Sequence, residues 1–404
     1  MGKPTVSIIT EYFKELVAEN AAKKGMPDLR FAFVKSPVWG KTPEQLQKDV
    51  IEGTDPISGK PVMREIVDEL TTPLSEEDKT TRTIPQSAGP DRFGPDTAEN
   101  LQKLFREKGM TDYLPIVLPT EEKVDAMLRA TSHKPDEIVG KISPTPGVYE
   151  YWSYTVRQVA VNAVMAGADP KYFPVILAIA AANKESISSS DNSFASAVVI
   201  NGPIRDEIGL NYEIGALGPF RRANATIGRA YTLLSINGGN CGKVGETYMG
   251  VIGNPANYAN IVIAENEKES PWQPFSVRHG FKPDESVVSI FEGWGVISAK
   301  NSKYAVWSKD MNFAEELKNI FNDQDQLFGG VAVLSPAVAN YVKDEGYDSV
   351  EKLTAWLYKS PEEAKAHFWS PSQINILVTG SSNNLYWDYG GMRYVRSVSV
   401  DKWR

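Results

Sequence analysis

Short apolar segments of strand length alternate with longer segments of helical periodicity along most of this 404-residue chain. Strands are predicted for residues 30–35, 196–201, 247–252, 261–265, 286–291, 329–334 and 374–379. Helices are predicted for residues 9–24, 42–51, 61–70, 97–108, 119–130, 154–167, 170–183, 220–236, 336–344 and 349–358. Such alternation is typical of α/β proteins, and no internal repeat or low-complexity segment is visible.

The pattern predicts two folded parts with an insertion between them. Residues 1–72 are predicted to form a short, doubly wound N-terminal α/β unit in which helices flank a strand. Residues 73–118 are predicted to be an insertion or linker with a helix, because their first part is polar and rich in Thr, Pro and Gly. Residues 119–404 are predicted to form a larger α/β domain with a mixed sheet, which carries the candidate site.

The charge balance and the scarcity of cysteine and histidine restrict the function. The chain has 43 basic and 51 acidic residues, a net charge of −8, and it lacks the basic stripe of a nucleic-acid-binding protein. Cys241 is the only cysteine, which excludes an internal disulfide and a cysteine-based zinc site within these residues. The three histidines are far apart, so we predict no metal site, and the sequence does not identify a cofactor. A single thiol fits a reducing compartment, and a cytoplasmic location is expected.

The most apolar stretch, residues 159–182, is interrupted by Asp169, Pro170 and Lys171. Each remaining piece is too short to cross a bilayer, and the start of the chain shows no signal peptide or myristoylation pattern. We therefore expect two buried helices here and no membrane partner.

The richest candidate site lies between residues 201 and 229, where a Gly-rich loop follows an apolar strand and leads into a helix. Loops at the carboxyl ends of parallel strands bind ligands in open α/β sheets, and a helix N-terminus favours anions. The candidate substrate-binding residues are Arg205, Gly218, Arg221, Arg222, Asn224 and Thr226. The segment predicts a pocket for a carboxylate or a phosphate. The alternative is a Gly-rich turn with solvated arginines and a packing helix.

Two further segments carry candidate catalytic side chains. Glu265 and Asn266 come directly after an apolar strand, where a carboxylate can serve as an acid, a base or a metal ligand. His279 is a candidate pocket residue that needs a partner from elsewhere in the chain. The alternative for the charged residues is that they are solvated at the end of a strand.

A small polar loop follows the last predicted strand, and its backbone N–H groups can bind an oxyanion. Its candidate residues are Ser381, Ser382 and Asn383, with an ordinary loop as the alternative. Cys241 has no identifiable base near it in the sequence, so we expect it not to be a nucleophile.

Several segments recur in the order found in a known family: VRQVAVNAVMAGADPKYFPVILAIAAA, GPIRDEIGLNYEIGALGPFRRANATIGRA, AENEKESPWQPFSVRHGF and ILVTGSS. Together they resemble the UGSC proteins, which are named for a selenocysteine- or cysteine-Gly-Ser-Cys motif. The resemblance covers residues 119–292 and, more loosely, the C-terminal region. The segment VSIITEYFKELVAENAAKKGMPDLRFAFVKSPVWGKTPEQL resembles the part of the family's domain that lies downstream of the redox motif.

The resemblance implies thiol or selenol chemistry, although the redox motif itself is missing from these residues and Lys35-Ser36-Pro37 departs from the turn expected in the family. Either a small partner chain supplies the Cys-Gly-Ser-Cys motif and the pair can assemble further into a homo-oligomer, or this branch of the family has another function. Apolar residues at Ile8, Ile9 and Phe13 are expected to form part of an interface.

Three functions remain open at this point. The first is the larger subunit of a hetero-oligomeric enzyme, an oxidoreductase or a lyase, that acts on a small polar or anionic molecule with the thiol-bearing partner. The second is a self-sufficient lyase or hydratase that uses Glu265 and the Arg222 loop. The third is a non-catalytic scaffold that binds a small molecule.

Overall fold

The computed structural model describes residues 3–23, 26–38, 41–76, 92–142, 152–187, 193–244, 247–248, 250, 252–301, 312–322, 329–358, 370–383 and 385–404. The chain divides into two compact units, Met1–Pro95 and Asp96–Arg404. The division falls inside the segment that was predicted as an insertion.

The first unit is built around two parallel strands, β1 (Ser7–Thr10) and β2 (Phe31–Val34). Helix α1 (Lys14–Lys23) connects them, and α2 (Pro43–Leu46) and α3 (Val62–Thr71) follow. A capping box formed by the Thr42 and Gln45 side chains begins α2. The predicted strand at 30–35 is confirmed, whereas the predicted helix at 9–24 is shorter because its first residues extend into β1.

Helices and one hairpin open the second unit. The helices are α4 (Ala98–Glu107), α5 (Glu121–Leu128), α6 (Val156–Met165) and α7 (Phe173–Ala181), and the hairpin pairs β3 (Ile138–Ile142) with β4 (Trp152–Thr155). The apolar stretch at 159–182 forms α6 and α7, whose residues are largely buried, as predicted. In the described part of the chain, no helix combines the length and the apolar character that a membrane span needs.

The second unit also contains a six-stranded mixed sheet with the order β6-β5-β7-β10-β8-β9. Its strands are β5 (Ala195–Asn201), β6 (Ile261–Ala264), β7 (Val287–Asn301), β8 (Gly330–Leu334), β9 (Ile374–Val378) and β10 (Tyr386–Ser399). The remaining helices are α8 (Ile204–Glu207), α9 (Arg222–Gly239), α10 (Phe275–Arg278), α11 (Phe313–Asn322), α12 (Pro336–Asp344) and α13 (Val350–Leu357). Two pairs are parallel, β5 with β6 and β8 with β9, and the others are antiparallel. The predicted α/β fold with a mixed sheet is therefore confirmed.

The sheet is built from two structural repeats, which the sequence does not reveal. Strand, helix, parallel strand and long antiparallel strand follow one another as β5, α9, β6 and β7, and again as β8, α12 with α13, β9 and β10. The pairing registers of the two repeats correspond. The pair Ala197 and Ile261 is equivalent to the pair Val331 and Asn375, and the pair Ile200 and Val288 is equivalent to the pair Leu334 and Trp387. The two long strands, β7 and β10, pair with each other at the centre.

The sheet curls until its two edge strands meet at their carboxyl ends. The Asn266 backbone N–H donates to the Val378 carbonyl oxygen at 2.8 Å, and the Thr379 hydroxyl donates to the Ala264 carbonyl oxygen at 2.7 Å. One hydrophobic core inside the curl receives side chains from all six strands: Ala197, Val199, Ile263, Phe291, Val331, Val333, Leu377 and Met392. Phe275 of α10 joins this core. The closure brings the ends of β6 and β9 together and positions the polar residues that follow them.

One predicted strand is wrong, and strands β3, β4 and β10 were not predicted. The strand predicted at 247–252 is wrong for its described residues, which contain only an isolated bridge at Tyr248. Strand β10 was not predicted, because Gly390, Gly391 and the charged residues near them interrupt the apolar alternation. Long antiparallel pairing with β7 compensates for this weak local preference.

Candidate functional site

A cluster of polar side chains, which we call the polar junction, lies where β5 and β6 end. Its members are Asn201, Arg205, Glu265, Asn266 and Glu267. The Asn201 amide nitrogen donates to Glu265 at 2.7 Å and to Glu267 at 2.9 Å. Because β5 and β6 are parallel neighbours, their carboxyl ends bring residues together that are more than sixty positions apart in the sequence.

Glu265 is 3% exposed, and both of its carboxylate oxygens accept hydrogen bonds from the protein. One oxygen accepts from the Asn201 amide and from the Phe275 backbone N–H, each at 2.7 Å. The other accepts from the Val378 backbone N–H at 3.2 Å. Burial raises the pKa of Glu265, although the Arg278 charge and these donors act against the rise. The geometry makes Glu265 a link between β5, β9 and α10, and its catalytic role stays a prediction.

Arg205 is the buried cation of the polar junction. Its guanidinium donates to Glu267 at 2.8 Å, to the Gly202 carbonyl oxygen at 3.0 Å and to the Glu265 carbonyl oxygen. Glu267 also accepts from the Gly202 backbone N–H at 2.8 Å. Arg205 was predicted to bind substrate, and the structure places it beside Glu265 and Glu267.

The rim of the polar junction carries a second set of polar side chains. The Tyr212 hydroxyl donates to Asp206 at 2.5 Å, and Lys268 lies 2.8 Å from the same hydroxyl. The hydrogen bond from Tyr212, together with the Lys268 charge, lowers the pKa of Asp206. Lys268 and Asp206 are both exposed, so the rim faces solvent.

The predicted loop at 381–383 follows β9 and adjoins the polar junction through Asn266, whose amide donates to the Gly380 carbonyl oxygen at 2.9 Å. The Ser381 hydroxyl accepts from the Asn383 backbone N–H at 3.1 Å, and the Ser382 hydroxyl donates to Glu269 at 2.5 Å. The loop is thus brought close to Asn266, and anion binding by it stays a prediction.

The predicted anion loop before α9 has other partners. Arg222 donates twice to the Gly167 carbonyl oxygen, at 3.0 and 2.8 Å, and lies 3.7 Å from Asp169. The remaining predicted residues of this loop also have partners or positions away from the polar junction's carboxylates. Asn224 bonds to the Asn211 backbone, and Thr226 bonds to the Arg222 carbonyl oxygen. Gly218 and Arg221 lie before the helix. No hydrogen bond joins Glu265 to Arg222 among the described residues, so the structure does not bring those two together. Anion binding by Arg222 stays a prediction.

His279 directly follows α10, and its ring is held on two sides. The ring stacks on Phe275 at 4.0 Å between centroids and lies 4.6 Å from the Tyr394 ring. Nδ1 lies 2.8 Å from the Phe275 carbonyl oxygen, which can only accept, so Nδ1 carries the proton and Nε2 is an acceptor in the neutral ring. Partial burial of the ring between its neighbours, together with the Arg278 charge, lowers the pKa of His279. The arrangement favours a neutral imidazole.

A second buried ionic cluster was not predicted. Lys184 lies 2.7 Å from Glu185 and 2.6 Å from Glu292, and Arg393 donates to Glu292 at 2.8 Å. Although burial alone would lower the pKa of Lys184, the two carboxylates raise it, while burial raises the pKa of Glu185. The sequence feature that could have indicated this cluster is Glu292, a charged residue next to an apolar segment. A carboxylate buried at such a position requires a partner of opposite charge.

Cys241 lies close to this ionic cluster. The thiol is 2% exposed, and burial together with the Glu185 charge raises its pKa. A thiol of this kind is a poor nucleophile, because only the thiolate attacks. Within the described ranges, no group of three or more His, Cys, Asp or Glu side chains is placed to hold a metal ion.

The comparisons with known proteins bear on the N-terminal segment. Residues 1–59 match the model of the UGSC family. The predicted resemblance to UGSC proteins is therefore confirmed for this segment, while the resemblance over residues 119–292 and the C-terminal region stays a prediction. No curated protein and no solved structure matches the chain.

Proposed function

We propose that this chain is the larger subunit of a hetero-oligomeric enzyme that acts on a small polar or anionic molecule. A small partner chain with a Cys-Gly-Ser-Cys motif supplies the reactive thiol, and the reaction is reductive or lyase-type. The pair works in the cytoplasm, where such thiols stay reduced. The UGSC match over residues 1–59 supports this assignment.

The observation that carries the proposal is the state of Cys241. It is the only cysteine in these 404 residues, and it is buried with a raised pKa. Thiol chemistry of the kind for which the family is named needs an accessible thiolate. On this proposal the reactive group comes from outside these residues.

Exposed apolar residues in the first unit support a partner. Ile8 is 53% exposed and Tyr12 is 84% exposed, and Phe13 beside them is also exposed. Aromatic and aliphatic side chains grouped on a surface are typical of protein interfaces. These three residues lie within the segment that matches the UGSC family.

The test is co-expression with a small Cys-Gly-Ser-Cys protein encoded beside this chain, followed by native mass spectrometry. We expect a stable complex, and we expect Ile8→Glu to abolish it. Ile57→Glu makes the same change at a residue of similar exposure (44%) and serves as the matched control. A stable monomer of the chain that turns over substrate without a partner would contradict the proposal.

His279 supports a second function, a self-sufficient lyase. Its fixed Nδ1–H, its lowered pKa and its exposed position after α10 suit a general base that works through Nε2. The test is the activity of the purified chain alone. Activity that is lost in His279→Gln and retained in Cys241→Ser would favour this function over the first. Ligand binding without turnover in either preparation would favour the non-catalytic scaffold.

A further inference from the structure

Residues 401–404, which follow β10, form a short turn that we call the C-terminal turn. The hydroxyls of two consecutive residues before β3 hold its backbone. The Thr131 hydroxyl donates to the Trp403 carbonyl oxygen at 2.8 Å, and the Ser132 hydroxyl donates to the Arg404 carbonyl oxygen at 2.6 Å. The turn is thus fixed to a segment that lies about 270 positions earlier in the chain.

His133 adds a contact to the C-terminal turn that depends on its own charge. Nδ1 lies 2.8 Å from the Glu137 carboxylate, and Nε2 lies 2.7 Å from the Lys402 carbonyl oxygen. A carbonyl oxygen and an ionised carboxylate can only accept, so both nitrogens carry a proton and the ring is a cation. A neutral ring has one N–H group, and the loss of the proton therefore removes one of these two hydrogen bonds.

The C-terminal turn is tied to both ends of α8. At the end of α8, the Arg404 guanidinium donates to the Glu207 carboxylate at 2.8 and 3.1 Å. At its start, the Ile204 backbone N–H donates to the Ser286 hydroxyl at 3.2 Å, and the Ser286 backbone N–H donates to the Asp401 carboxylate at 2.9 Å. Because α8 carries the buried cation of the polar junction, a continuous set of contacts leads from the histidine ring to that junction.

We propose that the charged His133 ring is a pH-sensitive latch that fastens the C-terminal turn and, through this turn, both ends of α8 beside the polar junction. Protonation of a histidine in a packed cluster is a means by which proteins couple pH to conformation. Partial burial of the ring opposes the charge, but the hydrogen bonds to Lys402 and Glu137 outweigh it and raise the pKa of His133. The latch is therefore closed below about pH 6.5 and opens as the pH rises through the folded-state value.

Several other charged residues lie on the segments that meet at the latch. They are Glu137 on the histidine's own segment, Asp401, Lys402 and Arg404 on the C-terminal turn, and Glu207 on α8. Hydrogen bonding to Glu207 raises the pKa of Arg404, so this link to α8 stays charged. Replacement of His133 alone separates its titration from the effects of these groups.

The experiment measures amide hydrogen exchange of the full chain by mass spectrometry between about pH 6 and pH 8, with labelling times scaled for the intrinsic effect of pH. Peptides that span residues 202–212 report on α8, and peptides that span residues 336–344 report on α12 as the reference. His133→Phe keeps a ring in place and removes the titration. Arg404→Gln keeps the histidine and removes the charged link to α8.

In the wild type we expect exchange of residues 202–212, relative to residues 336–344, to speed up about two- to fivefold as the pH rises, as for a partly exposed ionic link. His133→Phe should show the faster exchange at every pH. Arg404→Gln should show a smaller pH response in α8, while the C-terminal turn still responds.

Three outcomes would overturn the proposal: exchange in α8 that does not change with pH, the same pH response in His133→Phe, or an equal response in residues 336–344. If His133→Phe does not fold, the comparison of the wild type with Arg404→Gln decides, and an equal α8 response in these two would overturn the proposal. The latch does not depend on the thiol-bearing partner, and its test needs no substrate.

Discussion

Glu265 and Thr379 occupy equivalent positions in the two repeats, and each bonds to the strand that precedes the other. The Glu265 carboxylate accepts from the Val378 backbone N–H at 3.2 Å, and the Thr379 hydroxyl donates to the Ala264 carbonyl oxygen at 2.7 Å. The edges of the sheet are thus joined by a reciprocal pair of side-chain contacts. The two contacts differ in chemistry, and this difference leads to the first prediction.

Glu265→Ala should cost more stability than Thr379→Val. The first change leaves the buried Phe275 and Val378 N–H groups without acceptors, at a cost of about 3–5 kcal/mol. The second change keeps the shape of the side chain and removes only the hydrogen bond from the Thr379 hydroxyl to the Ala264 carbonyl oxygen, at a cost of about 1 kcal/mol. Urea unfolding followed by tryptophan fluorescence measures both, and equal losses would show that Glu265 is not the main link.

Lys184→Met should lower the free energy of unfolding by about 3–5 kcal/mol, because it leaves Glu185 and Glu292 buried without their shared cation. Arg393→Met is the matched control. Its side chain is 49% exposed and Glu292 keeps Lys184 as a partner, so a loss of about 1 kcal/mol or less is expected. Chemical denaturation measures the free energy of unfolding of both variants. Similar losses of stability in the two would refute a central role for Lys184.

The contact between His133 and the C-terminal turn should depend on pH. Nδ1 lies 2.8 Å from Glu137 and Nε2 lies 2.7 Å from the Lys402 carbonyl oxygen, so both nitrogens donate and the ring is charged. Partial burial opposes the charge, but the two hydrogen bonds outweigh it and raise the pKa of His133. With a raised folded-state pKa, the stabilisation is complete below about pH 6.5 and is lost as the pH rises through the folded value.

Hydrogen exchange at the Val400 and Trp403 amides measures this loosening, after correction for the intrinsic effect of pH. Asp401 and Arg404 pair with each other in the same C-terminal turn. His133→Phe keeps an aromatic ring against Trp403, whose ring centroid lies 4.6 Å from that of His133, but removes the titration. An unchanged pH response in this variant would assign the effect to another group.

Cys241 should resist a water-soluble disulfide reagent in the native chain at pH 8 and react once urea unfolds the protein. The buried thiol with its raised pKa supplies almost no thiolate at that pH. Cys241→Ser should leave activity largely intact, and spectrophotometric titration of the released thiol gives the reaction rate. Rapid reaction of the native chain, or a hundredfold loss of activity in a folded variant, would contradict this expectation.

Local sequence patterns predicted most elements of this fold. Apolar runs located β5, β8 and β9, and the helical periodicity around 336–344 agrees with α12. These elements were predictable because burial of one face or of a whole strand leaves a period in the sequence. Strand β10 has no such period, because its glycines and charges are tolerated only through pairing with β7.

The sequence by itself determined the α/β alternation, the polar residues at the ends of β5 and β6, and a chain with one thiol. Only the tertiary structure decided what those residues touch. Glu265 meets Val378, and Lys184 meets Glu292, across separations of about a hundred residues that no local pattern encodes. Closure of the sheet made the first contact, and packing of α7 against β7 made the second, because buried polar groups that are distant in the chain satisfy each other only when the fold brings them together.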